Sequence, residues 1–118
     1  MSEHDEQAAL FEWAAVRQGV YPELELMHAI PNGGKRDKAV AGKLRAEGVK
    51  AGVPDVCLPV PSGPYHGLYI EMKYGDNQPT PEQRRFIMAL RGQGYQVVIA
   101  NGWEIASGEI LNYLTRKW

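Results

Sequence analysis

The middle of the chain contains three charged residues of the types that enzymes use to hydrolyse phosphate esters. They are Asp55, Glu71 and Lys73. Asp55 follows Pro54 at the start of a short apolar run. Glu71 and Lys73 lie in segment 65–73, whose apolar and polar residues alternate with the period of a β-strand. Both are therefore predicted to project from the face opposite the apolar set. Charges on a strand that reads as buried are costly unless they are paired or bind a metal ion, so this strand is the first candidate site.

Two carboxylates and a neighbouring main-chain carbonyl make a hard oxygen site that suits Mg²⁺ or Mn²⁺. Such an ion polarises a phosphodiester and lowers the pKa of a bound water. A lysine on the same strand face orients that water or stabilises the charge that develops. A hairpin between the two segments would bring Asp55 and Glu71 within reach of one cation. The alternative is that Glu71 and Lys73 form a surface ion pair of small energetic value.

Hydrophobic periodicity and turn residues predict the element order αβαββαβα, an α/β fold with a central mixed β-sheet flanked by α-helices. The predicted helices span 3–17, 38–47, 80–91 and 103–115, and the predicted strands span 21–30, 55–60, 65–73 and 95–100. The third helix has the strongest start signal, because Thr80, Pro81 and Gln83 predict a capping box with proline at the first helical position. With no linker or internal repeat, the 118 residues are expected to form one domain, 1–118.

The composition is that of an ordinary globular protein, with 44% hydrophobic and 23% charged residues. The lone cysteine, Cys57, lies in an apolar run and reads as a small buried hydrophobe rather than a nucleophile. No apolar stretch is long enough to cross a membrane, and the acidic N-terminus does not resemble a signal peptide. The sequence therefore predicts a cytoplasmic, intracellular protein without a membrane partner.

Segment 35–50 is locally basic, although the net charge of the whole chain is only −1. It follows a turn of Pro, Asn and two Gly residues, which fixes the chain direction and lets a ligand backbone approach closely. A local basic block can bind a polyanion, although charge alone is explained as well by the solvated face of a helix. The candidate DNA-binding residues of the turn and the block are Asn32, Gly33, Gly34, Lys35, Arg36, Lys38, Lys43, Arg45 and Lys50.

The first predicted helix begins with several acids. One explanation is that they interact favourably with the helix dipole and keep the surface soluble. A second interpretation is that one of these acids reaches a metal ion held at the central strands. Glu3 and Glu6 are the candidates, and their spacing does not separate them.

With these residues in place, the sequence resembles the PD-(D/E)xK nuclease superfamily and, within it, the VRR-NUC (virus-type replication-repair nuclease) domain. It is most similar to the small stand-alone members found in phages and bacteria. The resemblance covers nearly the whole chain, and the segments that carry it are 31–36 (PNGGKR), 47–55 (EGVKAGVPD), 67–73 (GLYIEMK) and 81–83 (PEQ).

The resemblance implies a restriction-endonuclease-like fold that cuts DNA with Mg²⁺ or Mn²⁺. Asp55, Glu71 and the main-chain carbonyl of Met72 would be metal ligands, together with Glu3 or Glu6. Lys73 would be the catalytic lysine, and Gln83 matches the helix glutamine that follows the active strand.

Family members of this size behave as homodimeric Holliday-junction resolvases, so the resemblance implies a junction resolvase acting on branched double-stranded DNA. The alternatives are a flap or branched-DNA nuclease of the same fold and a catalytically idle DNA-binding module. The intact set of Asp55, Glu71 and Lys73 argues against the idle module. A sequence-specific restriction enzyme is disfavoured because the chain has little room for a separate recognition domain.

Overall fold

The computed structural model describes residues 1–31 and 38–118, which contain four α-helices and four β-strands in the predicted order. The longest described helix has 15 residues, and none of the described helices is long and apolar enough to span a bilayer. The helices are α1 Glu3–Arg17, α2 Lys38–Ala46, α3 Pro81–Gly92 and α4 Trp103–Thr115, and the strands are β1 His28–Ala29, β2 Val56–Leu58, β3 Leu68–Lys73 and β4 Gln96–Asn101.

The four strands form one mixed sheet in the order β1-β2-β3-β4. β2 and β3 pair antiparallel with Val56 opposite Ile70, which confirms the predicted hairpin. β3 and β4 pair parallel, and α3 makes the crossover between them. Because of this topology, the C-terminal end of β3 and the first turn of α3 lie at the same end of the sheet.

Helices cover both faces of the sheet. Leu68, Ile70 and Met72 of β3 are at most 1% exposed and belong to the core that α1 and α4 complete. α3 packs against β4, where its buried Ile87 lies outside that core cluster. The alternate residues of β3, which include Glu71 and Lys73, therefore project toward the α3 side of the sheet.

The predicted strand 21–30 is wrong over most of its length. Residues Pro22–Leu26 form a 3₁₀ helix, and only His28–Ala29 pair with β2. Pro22 fixes the dihedral at the first position of this helix. Leu24 is buried whereas Leu26 is 52% exposed, so the two leucines do not share a sheet face as they would in a strand.

The loop that leads to Asp55 packs directly on the start of α3. α3 begins with the predicted capping box, in which the Thr80 side chain accepts from the Gln83 amide and the Gln83 side chain accepts from the Thr80 amide. Gly52 has φ +87°, and a β-carbon added there would lie 3.0 Å from the Glu82 carbonyl oxygen. Glycine is therefore required at position 52 both for its dihedral and for this close approach.

Replacing Gly52 with alanine should lower stability more than the same change at Gly48. Both glycines have positive φ, but a β-carbon at Gly48 would meet nothing within 4 Å. Gly48→Ala should cost about 1 kcal/mol for the dihedral alone, and Gly52→Ala should cost roughly 1–3 kcal/mol more because α3 must shift. Urea denaturation of both variants measures the difference; equal losses would show that the contact with Glu82 carries no strain.

Candidate active site

The site is built on one side-chain hydrogen bond at the open end of the β2–β3 hairpin. Asp55 immediately precedes β2, and continuing the register by one residue puts it opposite Glu71. Its main-chain oxygen accepts from the Ile30 amide at 2.8 Å, whereas its Oδ2 accepts from the Met72 amide, also at 2.8 Å. The Asp55 carboxylate thus continues the β2–β3 pairing beyond the last main-chain pair, and this contact fixes its orientation.

Glu71 is fully buried, and neither of its carboxylate oxygens receives a hydrogen bond from an N–H group in the described part of the chain. Burial is the main cause that raises the pKa of Glu71. A proton shared with the Asp55 carboxyl group and the charges of Asp55 and Glu3 raise it further, whereas the charge of Lys73 opposes them. Lys73 is only 6% exposed, so the alternative of a surface ion pair between Glu71 and Lys73 is wrong.

These residues fit a hard divalent cation. Asp55 and Glu71 face one another across the hairpin, and Glu71 receives no hydrogen bond from an N–H group in the described residues, so a cation between the two acids would satisfy both. In a regular strand the N–H and C=O of one residue point to the same edge, so the Met72 carbonyl is directed to the Asp55 side. The described residues contain no group of three or more His, Cys, Asp or Glu side chains arranged to hold a metal, so main-chain oxygen and water would complete the coordination.

The two glutamates of the first helix have different surroundings. Glu6 is buried, and its Oε1 accepts from the Trp103 amide at the start of α4, 2.9 Å away. Glu3 is half-buried, and its charge contributes to the raised pKa of Glu71. The prediction that one of them binds the metal is not tested, but Glu6 already has a partner on α4. No sequence signal indicated that partner, because it comes from a helix almost one hundred residues later.

Gln83 takes part in the capping box of α3. Its Oε1 accepts from the Thr80 amide at 2.9 Å, so one of the two acceptor positions of this oxygen is used by the helix start, whereas the side-chain NH₂ can still donate to a substrate or a water. The predicted catalytic role of Gln83 stays a prediction. Its structural role as part of the helix start is established.

The predicted DNA-binding residues fall into two groups. Asn32, Gly33, Gly34, Lys35 and Arg36 lie outside the described residues. The other four are exposed, and α2 has no buried residue among those described, so it is a surface helix; they are Lys38, Lys43, Arg45 and Lys50.

A second basic surface was not assigned to DNA from the sequence. Arg84 and Arg85 are exposed near the start of α3, whose first turn contacts the loop before Asp55. No sequence signal connects these two bases to the site, because the contact between α3 and the loop depends on the tertiary structure.

A four-stranded mixed sheet flanked by helices, with a buried Asp-Glu pair and a lysine two residues beyond the glutamate, defines a nuclease of the PD-(D/E)xK type. Comparison with known proteins gives the family. The model of the VRR-NUC domain matches residues 1–104, so the chain belongs to the VRR-NUC family.

This chain is similar to a solved structure described as a VRR_NUC domain protein, with 30% sequence identity and a TM-score of 0.82. The similarity covers 97% of this chain and 88% of the chain in that structure. This likeness confirms the predicted restriction-endonuclease-like α/β fold. No curated protein matches the sequence significantly. The PD-(D/E)xK nucleases are generally metal-dependent, in agreement with the oxygen-rich site.

Glu71→Gln should stabilise the metal-free protein at neutral pH. A carboxyl group with a raised folded pKa keeps its proton where the unfolded chain has lost it, so stability falls as pH rises above the ordinary value of 4.5. The variant lacks this pH-dependent loss of stability. Its free energy of unfolding should exceed that of the natural protein by an amount that grows from pH 5 to pH 8 and reaches roughly 1–3 kcal/mol, the range for a buried unpaired polar group. Thermal unfolding in EDTA across this range measures it.

The control is Glu12→Gln, which removes one exposed carboxylate from the outer side of α1. Its stability relative to the natural protein should change little with pH. If Glu71→Gln follows the same flat curve, Glu71 is not the destabilising buried acid that its surroundings indicate.

Proposed function

We propose that this protein is a metal-dependent endonuclease that cuts branched double-stranded DNA, most specifically a Holliday-junction resolvase acting as a homodimer. The observation that carries the proposal is the fully buried Glu71, which faces Asp55 across the hairpin and has no donor from an N–H group in the described residues. Such a carboxylate is destabilising in the free protein, so its presence favours a role with a cation. Membership of a nuclease family gives the reaction class.

The residues divide the work of phosphodiester hydrolysis. Bound Mg²⁺ or Mn²⁺ would polarise the scissile phosphate and acidify a water molecule. Asp55 and Glu71 would hold the ion, and the Met72 amide fixes the orientation of Asp55. Lys73, on the same strand face as Glu71, would orient the attacking water and stabilise negative charge on the phosphorus oxygens. Because Lys73 is buried, its charge acts in a medium where it is screened little by solvent.

Two exposed basic surfaces support DNA as the substrate. One is formed by the bases of α2 and the following loop, such as Lys38 and Lys43, and the other by Arg84 and Arg85 on α3. The loop that ends at Asp55 runs between α2 and β2 and contacts the first turn of α3. This loop therefore joins one basic surface to the candidate site and contacts the helix that carries the other, so a duplex bound near it would meet positive charge from both.

A homodimer suits a junction because two sites related by a two-fold axis match the approximate two-fold symmetry of four-way DNA. The aromatic and apolar residues of α4 and of the segment after it differ in exposure. Tyr113 is buried and donates a hydrogen bond to the Val60 carbonyl, so it belongs to the core. Trp118 is 56% exposed and Ile105 is 51% exposed, which leaves them available for contact with a second copy.

The protein should nick four-way junctions in pairs at symmetrical positions, only when Mg²⁺ or Mn²⁺ is present. The test compares labelled four-way junction, flap, splayed and linear duplex DNA with and without each metal. Preferential cleavage of flaps would replace the resolvase with a flap nuclease. Absence of metal-dependent cleavage on every substrate would contradict the proposed activity altogether.

Lys73→Met should reduce cleavage at least about a hundredfold, the lower end for a group that acts in acid–base chemistry, while junction affinity stays nearly unchanged. Methionine fills the buried space without the charge. Gel-shift binding and single-turnover cleavage on the same junction separate the two effects. Lys117→Met, a change at an exposed residue beyond α4, is the control. Cleavage that survives in Lys73→Met would remove Lys73 from the catalytic set.

Replacing Lys38 and Lys43 together with alanine should weaken junction binding and flatten its salt dependence. Each lost phosphate contact reduces the slope of log K against log salt by roughly one. Arg17→Ala is the matched control, because Arg17 is an exposed base at the opposite end of α1 from Glu3. A slope equal to that of the natural protein would identify the α2 bases as a solvated face that does not contact DNA.

A further inference from the structure

Asn101, the last residue of β4, binds the chain that follows the active strand. Its side-chain Nδ2 donates to the Gly75 carbonyl oxygen at 2.7 Å and to the Asn77 carbonyl oxygen at 3.3 Å. Both acceptors lie in the loop that leads from Lys73, the last residue of β3, to α3. The pairing of β3 with β4 uses main-chain groups, so these two side-chain bonds hold the loop rather than the sheet.

The acceptors belong to a tight turn that starts directly after β3. The Asn77 amide donates to the Tyr74 carbonyl oxygen at 3.2 Å, and Gly75 has φ +59°, a value that glycine adopts without strain. Every residue of the turn is exposed, so packing contributes little to its stability. A segment with few buried contacts opens easily unless hydrogen bonds hold it, and Asn101 supplies two of them.

The strand register places Asn101 directly beside Lys73. The two residues are partners in the parallel pairing of β3 and β4, and the Gly102 amide donates to the Lys73 carbonyl oxygen at 3.1 Å. Paired residues on neighbouring strands project their side chains from the same face of a sheet. The Asn101 side chain therefore leaves the sheet on the α3 side, next to that of Lys73. One short segment of β4 thus binds both Lys73 and the turn after it.

This support matters because Lys73 is the last residue of β3 that pairs with β4. The last pair of a ladder opens more easily than the pairs inside it. A lysine side chain has four flexible carbon atoms, so a small change at its α-carbon becomes a larger displacement of the ammonium group. Misplacing a reacting group by about 1 Å can cost about a hundredfold in rate. A bond that keeps the strand end closed therefore has a direct effect on any chemistry that uses Lys73.

We infer that Asn101 is a positioning residue for the lysine of the proposed nuclease: by donating to Gly75 and Asn77 it keeps the end of β3 closed and so fixes the place of the Lys73 ammonium group. The inference rests on the proposed function, because that function gives Lys73 its catalytic role. In this role Asn101 touches neither the DNA nor the metal ion, and it acts through Lys73 alone.

The test is a double-mutant cycle on junction cleavage by the full chain at saturating Mg²⁺. Asn101→Leu keeps the size of the side chain but cannot donate. It should lower the single-turnover cleavage rate about ten- to a hundredfold, while junction affinity changes less than about twofold. In Lys73→Met there is no ammonium group to position, so adding Asn101→Leu should cause no further loss. Such non-additivity is expected when two residues act as one unit.

Two controls separate positioning from other effects of the substitution. Asn77→Ala removes an exposed amide side chain from the same turn but keeps the main-chain oxygen that accepts from Asn101, so cleavage should change less than about twofold. An equal loss in this variant would mean that the turn itself contacts DNA. Tyr113→Phe removes a hydrogen bond to the Val60 carbonyl and should lower the melting temperature without changing cleavage. An equal loss there would mean that reduced stability explains the effect. Either result would overturn the inference.

Amide hydrogen exchange without DNA or metal gives a readout that does not depend on residual activity. In Asn101→Leu the amides of Asn77 and Gly102 should both lose protection, because the Gly102 amide is bonded to Lys73 itself. Retained protection at Gly102 would confine the loosening to the turn and overturn the inference, and so would additive losses in the double mutant. If the natural protein cleaves no DNA, the proposed function is wrong, and exchange at Gly102 still decides whether Asn101 holds the end of β3.

Discussion

The hydrogen bond from the Met72 amide to the Asp55 carboxylate is the contact on which the candidate site depends. At the end of a two-stranded ladder the next main-chain amide would ordinarily bind water. Here a side chain takes that amide, so Asp55 is held at the hairpin end opposite Glu71. The strand pairing thereby determines the separation of the two carboxylates, and the same hairpin that builds the core also sets the geometry of the site.

This geometry conflicts with the stability of the free protein. Two acidic groups meet in a place from which solvent is excluded, and the charge of Lys73 only partly offsets their repulsion. A folded state keeps such a cluster only when the surrounding packing is strong enough to impose it. Leu68, Ile70 and Met72 supply that packing on the opposite face of the same strand. Every second residue of β3 thus stabilises the fold, and the residues between them form the candidate site.

The sequence predicted the parts of the fold that local patterns encode. Alternation in β3 and the capping box of α3 identified both elements and their boundaries to within a few residues. The prediction of a strand over 21–30 failed, because the alternating segment Leu-Glu-Leu after Pro22 forms a 3₁₀ helix. Tertiary packing there buries Leu24 and leaves Leu26 exposed. The spacing of Glu3 and Glu6 could not distinguish them either, since what differs is the Trp103 amide, which a distant helix brings to Glu6.

The distribution of charge suits the proposed function at two places. The exposed bases of α2 and α3 would attract the phosphate backbone of a nucleic acid, whereas the buried acids Asp55 and Glu71 would not attract a phosphate by themselves. A divalent ion held by the two acids would reverse the sign of the field at that point and favour close approach of a phosphate. Under the proposed function, binding at the basic surfaces and entry into the site would then be separable steps, and only the second would require the cation. The buried Glu71 would link folding, metal binding and the reaction in one side chain.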